Sequence, residues 1–131
     1  DRLNRTEFMP FAPIILEDYA SEYFLGYKST DLAPRFMTIT YDVAESKKDS
    51  IAAAVHVDGT ARPQVVRKNE NSTLYKVLDE YNKLTGVPSV INTSFNMHEE
   101  PIVCTPNDAI RAFKEGAVDV LAIGNFIVER T

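Results

Sequence analysis

The stretch His56-Val57-Asp58-Gly59-Thr60-Ala61-Arg62-Pro63-Gln64 gathers an imidazole, a carboxylate, a hydroxyl, a guanidinium and an amide around one turn dipeptide, Asp58-Gly59. An imidazole gives or takes a proton near neutral pH. A planar guanidinium grips phosphate or carboxylate through two parallel charge-assisted hydrogen bonds, each worth about 1.5–3 kcal/mol. Arg62 is therefore the anion-binding candidate of this stretch. The same residues also fit an ordinary turn, in which Asp58 and Gly59 serve the backbone, His56 is a satisfied structural side chain and Arg62 is a surface charge.

A second stretch, Asn92-Thr93-Ser94-Phe95-Asn96, offers two amides and two hydroxyls just past an apolar run. Such neutral donors and acceptors can fix a nucleotide phosphate or a carbamoyl amide, and they equally suit a polar loop that caps neighbouring backbone. Ser94 lacks the Gly-x-Ser-x-Gly surround of a nucleophile elbow, and spacing does not place His98 beside it as a base. His56 and His98 with Asp58, Glu99 and Glu100 have neither the paired-histidine spacing nor the third histidine of a zinc site. No P-loop and no dinucleotide glycine fingerprint is present. Arg2, Arg5, Lys28, Arg35, Arg67 and Lys68 add cations of the kind that usually face solvent. Cys104 precedes a helix start, which favours a thiolate, while its neighbours Ile102 and Val103 predict a buried, inert thiol.

These groups need elements to hold them. Met9-Pro10-Phe11-Ala12-Pro13 brackets an apolar run from Ile14 to Leu16, and Glu17 and Asp18 open a short helix that Gly26 stops. Alternation from Phe36 to Tyr41 predicts a strand. Ala44–Ser50 reads as a loop or one helical turn, and Ala61–Arg67 as a strand that Pro63 confines to an edge. Thr73–Thr85 is the clearest helix, with Ser72 as its cap, Leu74, Val77, Leu78, Tyr81 and Leu84 on one face and Gly86 at its end. Val87–Ile91 predicts a buried strand, with Asn92–Asn96 beyond its end, where α/β sheets tend to hold ligands. Thr105-Pro106-Asn107-Asp108 signals a capped helix that buries Ala109, Ile110 and Phe113 and stops at Gly116. Val120–Val128 reads as a last strand with a bulge at Gly124-Asn125. The intermixing predicts one α/β domain over 1–131, a sheet with helices packed on it.

Composition narrows the partners. The chain has 131 residues, 44% of them hydrophobic and 25% charged, which suits one globular domain rather than a disordered or fibrous chain. Its net charge of −5 argues against nucleic acid or an anionic membrane as a general partner and leaves room for a local basic pocket. No run approaches the roughly 18–20 apolar residues of a membrane span. One cysteine cannot form an internal disulfide, which fits a cytoplasmic protein. A start at Asp1 fits a fragment of a longer chain.

Arg5 with Met9-Pro10-Phe11-Ala12-Pro13, then the His56–Gln64 stretch, Asn92–Asn96 and Pro101-Ile102-Val103-Cys104-Thr105-Pro106 occur in an order and spacing that resemble the C-terminal domain of the O-carbamoyltransferases of nodulation factors and antibiotics. The resemblance runs over nearly the whole chain. It implies a YrdC-like α/β fold, a twisted mixed sheet with an open concave face, following a larger Kae1-like domain of the same polypeptide. It further implies that this domain binds ATP with Mg²⁺ and carbamoyl phosphate to make carbamoyl-adenylate, while the Kae1-like domain, with its own metal, transfers the carbamoyl group to a hydroxyl. The resemblance places Arg5 and Arg62 on phosphates and Asn92, Ser94 and Asn96 on the carbamoyl or adenylate moiety. His56, Asp58, Thr60 and Thr93 complete the binding set, and Arg62 and Ser94 stand as the catalytic candidates. Leu3 replaces a lysine frequent in the family, with Lys28 or Arg35 as possible substitutes in the pocket, and Glu99 replaces a glycine. The alternative is a YrdC-like module that binds nucleotide or double-stranded RNA without catalysis.

Overall fold

Five consecutive buried residues, Ala12–Leu16, form the middle strand of a three-stranded mixed sheet. The computed structural model describes residues 11–97 and 99–130. In chain order its elements are β1 (Ala12–Leu16), α1 (Glu17–Tyr23), β2 (Tyr41–Asp42), β3 (Thr60–Ala61), β4 (Gln64–Val66), α2 (Ser72–Thr85), β5 (Ser89–Asn92), α3 (Pro106–Glu115), β6 (Val120–Ile123) and β7 (Phe126–Glu129). Short 3₁₀ helices cover Ala33–Phe36, Glu45–Lys47 and Asp49–Ala54. The described chain forms two compact units that meet in sequence between Thr93 and Ser94. The class is mixed α/β, as the alternation of patterns predicts. Among the described residues no helix is long and apolar enough to cross a membrane.

In the unit ending at Thr93, β1 pairs in parallel with β4 (Ile14 opposite Gln64) and antiparallel with β5 (Ala12 opposite Asn92). Side chains alternate across a strand, so β1 feeds two cores. Ile14 and Leu16 pack with Val66 and Leu78 under α2. Ile15 packs on the other face with Val65, Ala20, Tyr23, Phe24, Tyr27, Val43, Ile51 and Ala61. A strand covered on both faces reads as an unbroken apolar run, and each fully buried side chain such as Ile15 contributes roughly 1.5–3 kcal/mol. Pro13 is tolerated in this central strand because pairing with β4 begins only at Ile14, so no partner on that side asks for its missing N–H. Buried Ser89 is satisfied by donating its hydroxyl to the Ile14 carbonyl at 2.9 Å.

Several sequence expectations need correction. The strand expected over Phe36–Tyr41 shrinks to β2, because Pro34 starts a 3₁₀ turn whose end, Met37, takes a left-handed φ of 55°. Ser72 is the first helical residue of α2 and not its cap; Asn71 Oδ1 accepts from Leu74 N at 3.1 Å instead. Of the α2 stripe, Leu78 is buried and Leu74 half-buried, whereas Val77, Tyr81 and Leu84 are exposed. The chain breaks between β3 and β4 at Arg62-Pro63, and β4 lies at the sheet edge, where a preceding proline is harmless.

In the unit from Ser94, Thr105 and Asp108 build a reciprocal capping box on α3, as its sequence predicts. Ala109 and Ala112 are its buried residues, while Ile110 is exposed. Gly124-Asn125 is no bulge: it is the two-residue turn of a β6–β7 hairpin, with Ile123 opposite Phe126. Gly124 has a φ of +58°, as the favoured hairpin turns require. Cys104 is exposed rather than buried, because the segment before α3 is irregular and its neighbour Ile102 also faces solvent.

Candidate functional site

The His56–Thr60 turn is held by its own backbone and side chains. Gly59 N–H donates to the His56 carbonyl at 2.9 Å and His56 N–H to the Thr60 carbonyl at 2.7 Å. Gly59 has a φ of +83°, a turn conformation that calls for glycine. Asp58 Oδ1 accepts from the Thr60 hydroxyl at 2.7 Å and from Thr60 N–H at 3.0 Å. Those two bonds hold the Asp58 carboxyl below its ordinary pKa. The carboxylate is therefore ionised at neutral pH and can only accept.

That fixes the histidine. The one hydroxyl proton of Thr60 is committed to Asp58, so His56 Nδ1, 3.0 Å from Thr60 Oγ1, is the donor of their bond. Nε2 is then the open ring atom, a lone pair in the neutral ring and an N–H in the cation. The turn thus positions a proton-transfer group through a chain of imidazole, hydroxyl and carboxylate.

Arg62 follows, exposed, between β3 and β4. Among the described residues it is the one arginine without a carboxylate or carbonyl partner. Arg35 is paired with Glu70 through both its Nε and its terminal nitrogen. Arg67, with a side chain only 17% exposed, is enclosed by Glu17, Glu70 and the Ser29 carbonyl. Its Nε lies 2.7 Å from Glu17 Oε1 with the N–H misaligned, so that contact is an ion pair rather than a hydrogen bond. Arg111 is held by Glu100 and Glu115, and Arg130 by the carbonyls that end α3. Arg35, which the sequence offered as a substitute cation, is thus neutralised by Glu70.

Asn92 belongs to β5 itself rather than to the loop beyond it. Its Nδ2 donates to Gln64 Oε1 at 2.8 Å and touches Met37 Sδ at 3.3 Å. The sequence reading did not single out Gln64 or Met37 as site residues; the one signal was that Gln64 closes the same nine-residue stretch as Arg62. The sheet makes the connection, since β1 stands between the two strands and registers with Asn92 through Ala12 and with Gln64 through Ile14. Thr93 is exposed.

Ser94 and Asn96 belong to the second unit. Ser94 is exposed, and among the described residues no base accompanies it. Asn96 spends its amide hydrogens on the carbonyls of Met97 (2.9 Å) and Glu100 (3.1 Å), closing the loop that Val103 N–H seals on Phe95 O. In that loop Glu99 occupies the third position of a turn from Met97 to Glu100 with a φ of 63°. A left-handed third position suits glycine, so Glu99 holds a strained backbone there. Arg5 and His98 lie outside the described residues.

Cavities also border some of the described residues. One of about 440 Å³ is bordered by the 3₁₀ segment of Asp49–Ala54, Tyr81 and the β5 residues Ser89, Val90 and Ile91. Another of about 390 Å³ lies in the second unit beside Cys104, Glu100 and Arg111. Among the described residues no three His, Cys, Asp or Glu side chains gather as a metal site.

The family model described as "Carbamoyltransferase C-terminus" matches residues 1–130. An uncharacterized protein of Methanocaldococcus jannaschii is 40% identical over 98% of the chain. Nodulation proteins NolNO of Sinorhizobium fredii and NolO of Bradyrhizobium diazoefficiens are each 40% identical over 99% of it. The chain spans only 24%, 20% and 24% of the lengths of these three relatives, respectively.

Proposed function

The chain belongs to the carbamoyltransferase C-terminus family, and from that premise we propose that it is the substrate-activating part of an O-carbamoyltransferase, binding ATP with its Mg²⁺ and carbamoyl phosphate. Water cleaves carbamoyl phosphate to carbamate and inorganic phosphate, and a carbamate oxygen then attacks the α-phosphorus of ATP, giving carbamoyl-adenylate and releasing pyrophosphate. Transfer of the carbamoyl group to a hydroxyl then falls to the Kae1-like domain of the same polypeptide, with the metal of that step.

The observation that carries this reading is Arg62. Among the described residues every other arginine is neutralised or tied to a carbonyl, whereas Arg62 keeps its full hydrogen-bonding fork for an anion. In the proposed site Arg62 neutralises phosphate charge. His56, oriented through Thr60 and Asp58, offers Nε2 to a phosphate oxygen, as a hydrogen-bond donor when protonated. Asn92 holds the carbamoyl amide, and Thr93 supplies a neutral hydrogen bond. Activation of this kind depends on positioning and charge neutralisation more than on a protein nucleophile, so a site of amides, hydroxyls and arginines suits it. Mg²⁺ arrives as part of the nucleotide.

Calorimetric titration with ATP·Mg²⁺ and with carbamoyl phosphate tests the reading. Binding of both, weakened at least about tenfold in Arg62→Ala, is expected, because a charge-assisted pair is worth about 1.5–3 kcal/mol. Pyrophosphate release in the presence of both ligands separates activation from mere binding. A folded sample that binds neither ligand refutes the proposal.

A further inference from the structure

We propose that Gln64 is the positioning residue that lets this site tell a carbamoyl group from an acyl group of the same shape. The inference rests on the reading that carbamoyl phosphate is a substrate and goes beyond it by naming what recognises the amide.

The pairing of the two amides is single, not reciprocal. Asn92 Nδ2 donates to Gln64 Oε1 at 2.8 Å, and its other hydrogen faces Met37 Sδ at 3.3 Å. Both hydrogens of that nitrogen are thereby engaged. Sulfur is a weak acceptor and has nothing to offer an amide oxygen, so the contact with Met37 selects this orientation of the Asn92 amide over its flipped form. Two atoms are left over. Asn92 Oδ1 is an acceptor and Gln64 Nε2 is a double donor, and among the described residues neither has a partner. Neither is sealed from solvent, since Arg67 Nε is the buried polar side-chain atom that lacks a hydrogen bond among the described residues.

The arrangement is maintained at some cost. Met37 holds a left-handed backbone, a conformation that a non-glycine residue rarely adopts and that costs on the order of 1–3 kcal/mol. Its 3₁₀ turn packs on β4, and Arg35 of the same turn is anchored to Glu70. Gln64 is fixed in turn by the register of β4 on β1. Three separate segments therefore converge on the orientation of one amide.

An acceptor beside a double donor is the complement of a carbamoyl group, whose nitrogen donates and whose carbonyl accepts. Acetyl phosphate keeps the carbonyl and replaces the nitrogen by a methyl group, which would leave Asn92 Oδ1 desolvated and unpaired. Sites built around such hydrogen bonds reject the analogue that lacks them far more strongly than apolar pockets reject a size change. Gln64 acts in two ways: Oε1 holds Asn92, which reads the nitrogen, and Nε2 donates to the carbonyl common to both compounds.

The test is calorimetry of the chain with carbamoyl phosphate and with acetyl phosphate, for wild type, Gln64→Leu and Gln64→Glu, with thermal unfolding measured alongside. Wild type is expected to prefer carbamoyl phosphate at least about tenfold. Gln64→Leu, which releases Asn92, should bring that ratio close to one. Gln64→Glu keeps the acceptor for Asn92 Nδ2 and loses the donor, so it should weaken both ligands while retaining the ratio. A Gln64→Leu protein that still discriminates, or a Gln64→Glu protein that loses discrimination as completely as the leucine variant, overturns the inference and leaves the activating function standing. Equal binding of both compounds by wild type does the same. Where the leucine variant does not fold, unchanged affinities in the glutamate variant overturn it and a joint weakening with the ratio kept supports it. Binding of neither compound by folded wild type removes the underlying reading and the inference together.

Discussion

Thr60 has one hydroxyl proton and two neighbours within reach of it. Asp58, held ionised by Thr60 itself, accepts that hydrogen bond, and His56 Nδ1 is left to donate to the Thr60 oxygen. Replacing Thr60 by the isosteric valine removes the hydroxyl and leaves the Thr60-position N–H in place. The Asp58 carboxyl should then titrate closer to the ordinary value of about 3.9, which an NMR titration of the carboxyl carbon reads directly. The sign follows from linkage. A folded pKa below the unfolded one adds stability above the unfolded value, and that stability is lost as the pH falls through the folded value, so wild type should lose the turn at a lower pH than the variant. At the same scale, the sequence showed that Arg62 was a candidate cation, but not that its competitors were occupied. Glu70, which neutralises Arg35 across 35 positions of sequence, decided that.

At the scale of the element, local signals were mostly sufficient. The α3 start, with its threonine, proline and aspartate, needs only neighbours along the chain, and the structure has the capping box that they specify. The α2 start shows where local reading slips by one residue, because asparagine and serine are both good caps and they sit side by side. The two assignments predict different numbers: Asn71→Ala should cost about 1 kcal/mol in urea unfolding, whereas Ser72→Ala should change stability by no more than a few tenths. The α2 helix is also tied to α1 through the Tyr75 hydroxyl, which donates to Asp18 at 2.6 Å. That bond pushes the Tyr75 pKa up to about 12. Its contribution is complete below the ordinary tyrosine value of about 10 and is lost as the pH rises through the folded one. The strand expected at Phe36–Tyr41 failed because alternation is a statement about faces, and that segment has no sheet face to alternate against.

At the scale of the whole molecule, one strand organises the first unit. β1 serves a core on each side, and α2 closes one of them through Leu78, which is 1% exposed, while Leu84 on the same helix is 85% exposed. Leu78→Ala should therefore cost about 2–5 kcal/mol, and Leu84→Ala should stay within about 0.5 kcal/mol, both read from chemical unfolding. A helical-wheel reading puts both leucines on one stripe; only the position of the sheet separates them. The chain covers 20–24% of the lengths of these three relatives. Sequence alone determined the mixed α/β class, the capped start of α3, the turn at Asp58-Gly59 and the family, because each rests on residues close in the chain or on motifs in fixed order. Tertiary structure decided which of the described arginines is free, which nitrogen of His56 is open and which amide orients Asn92. Those outcomes depend on partners brought together by strand register, and hydrogen bonds between distant residues leave no period or spacing in the chain that makes them.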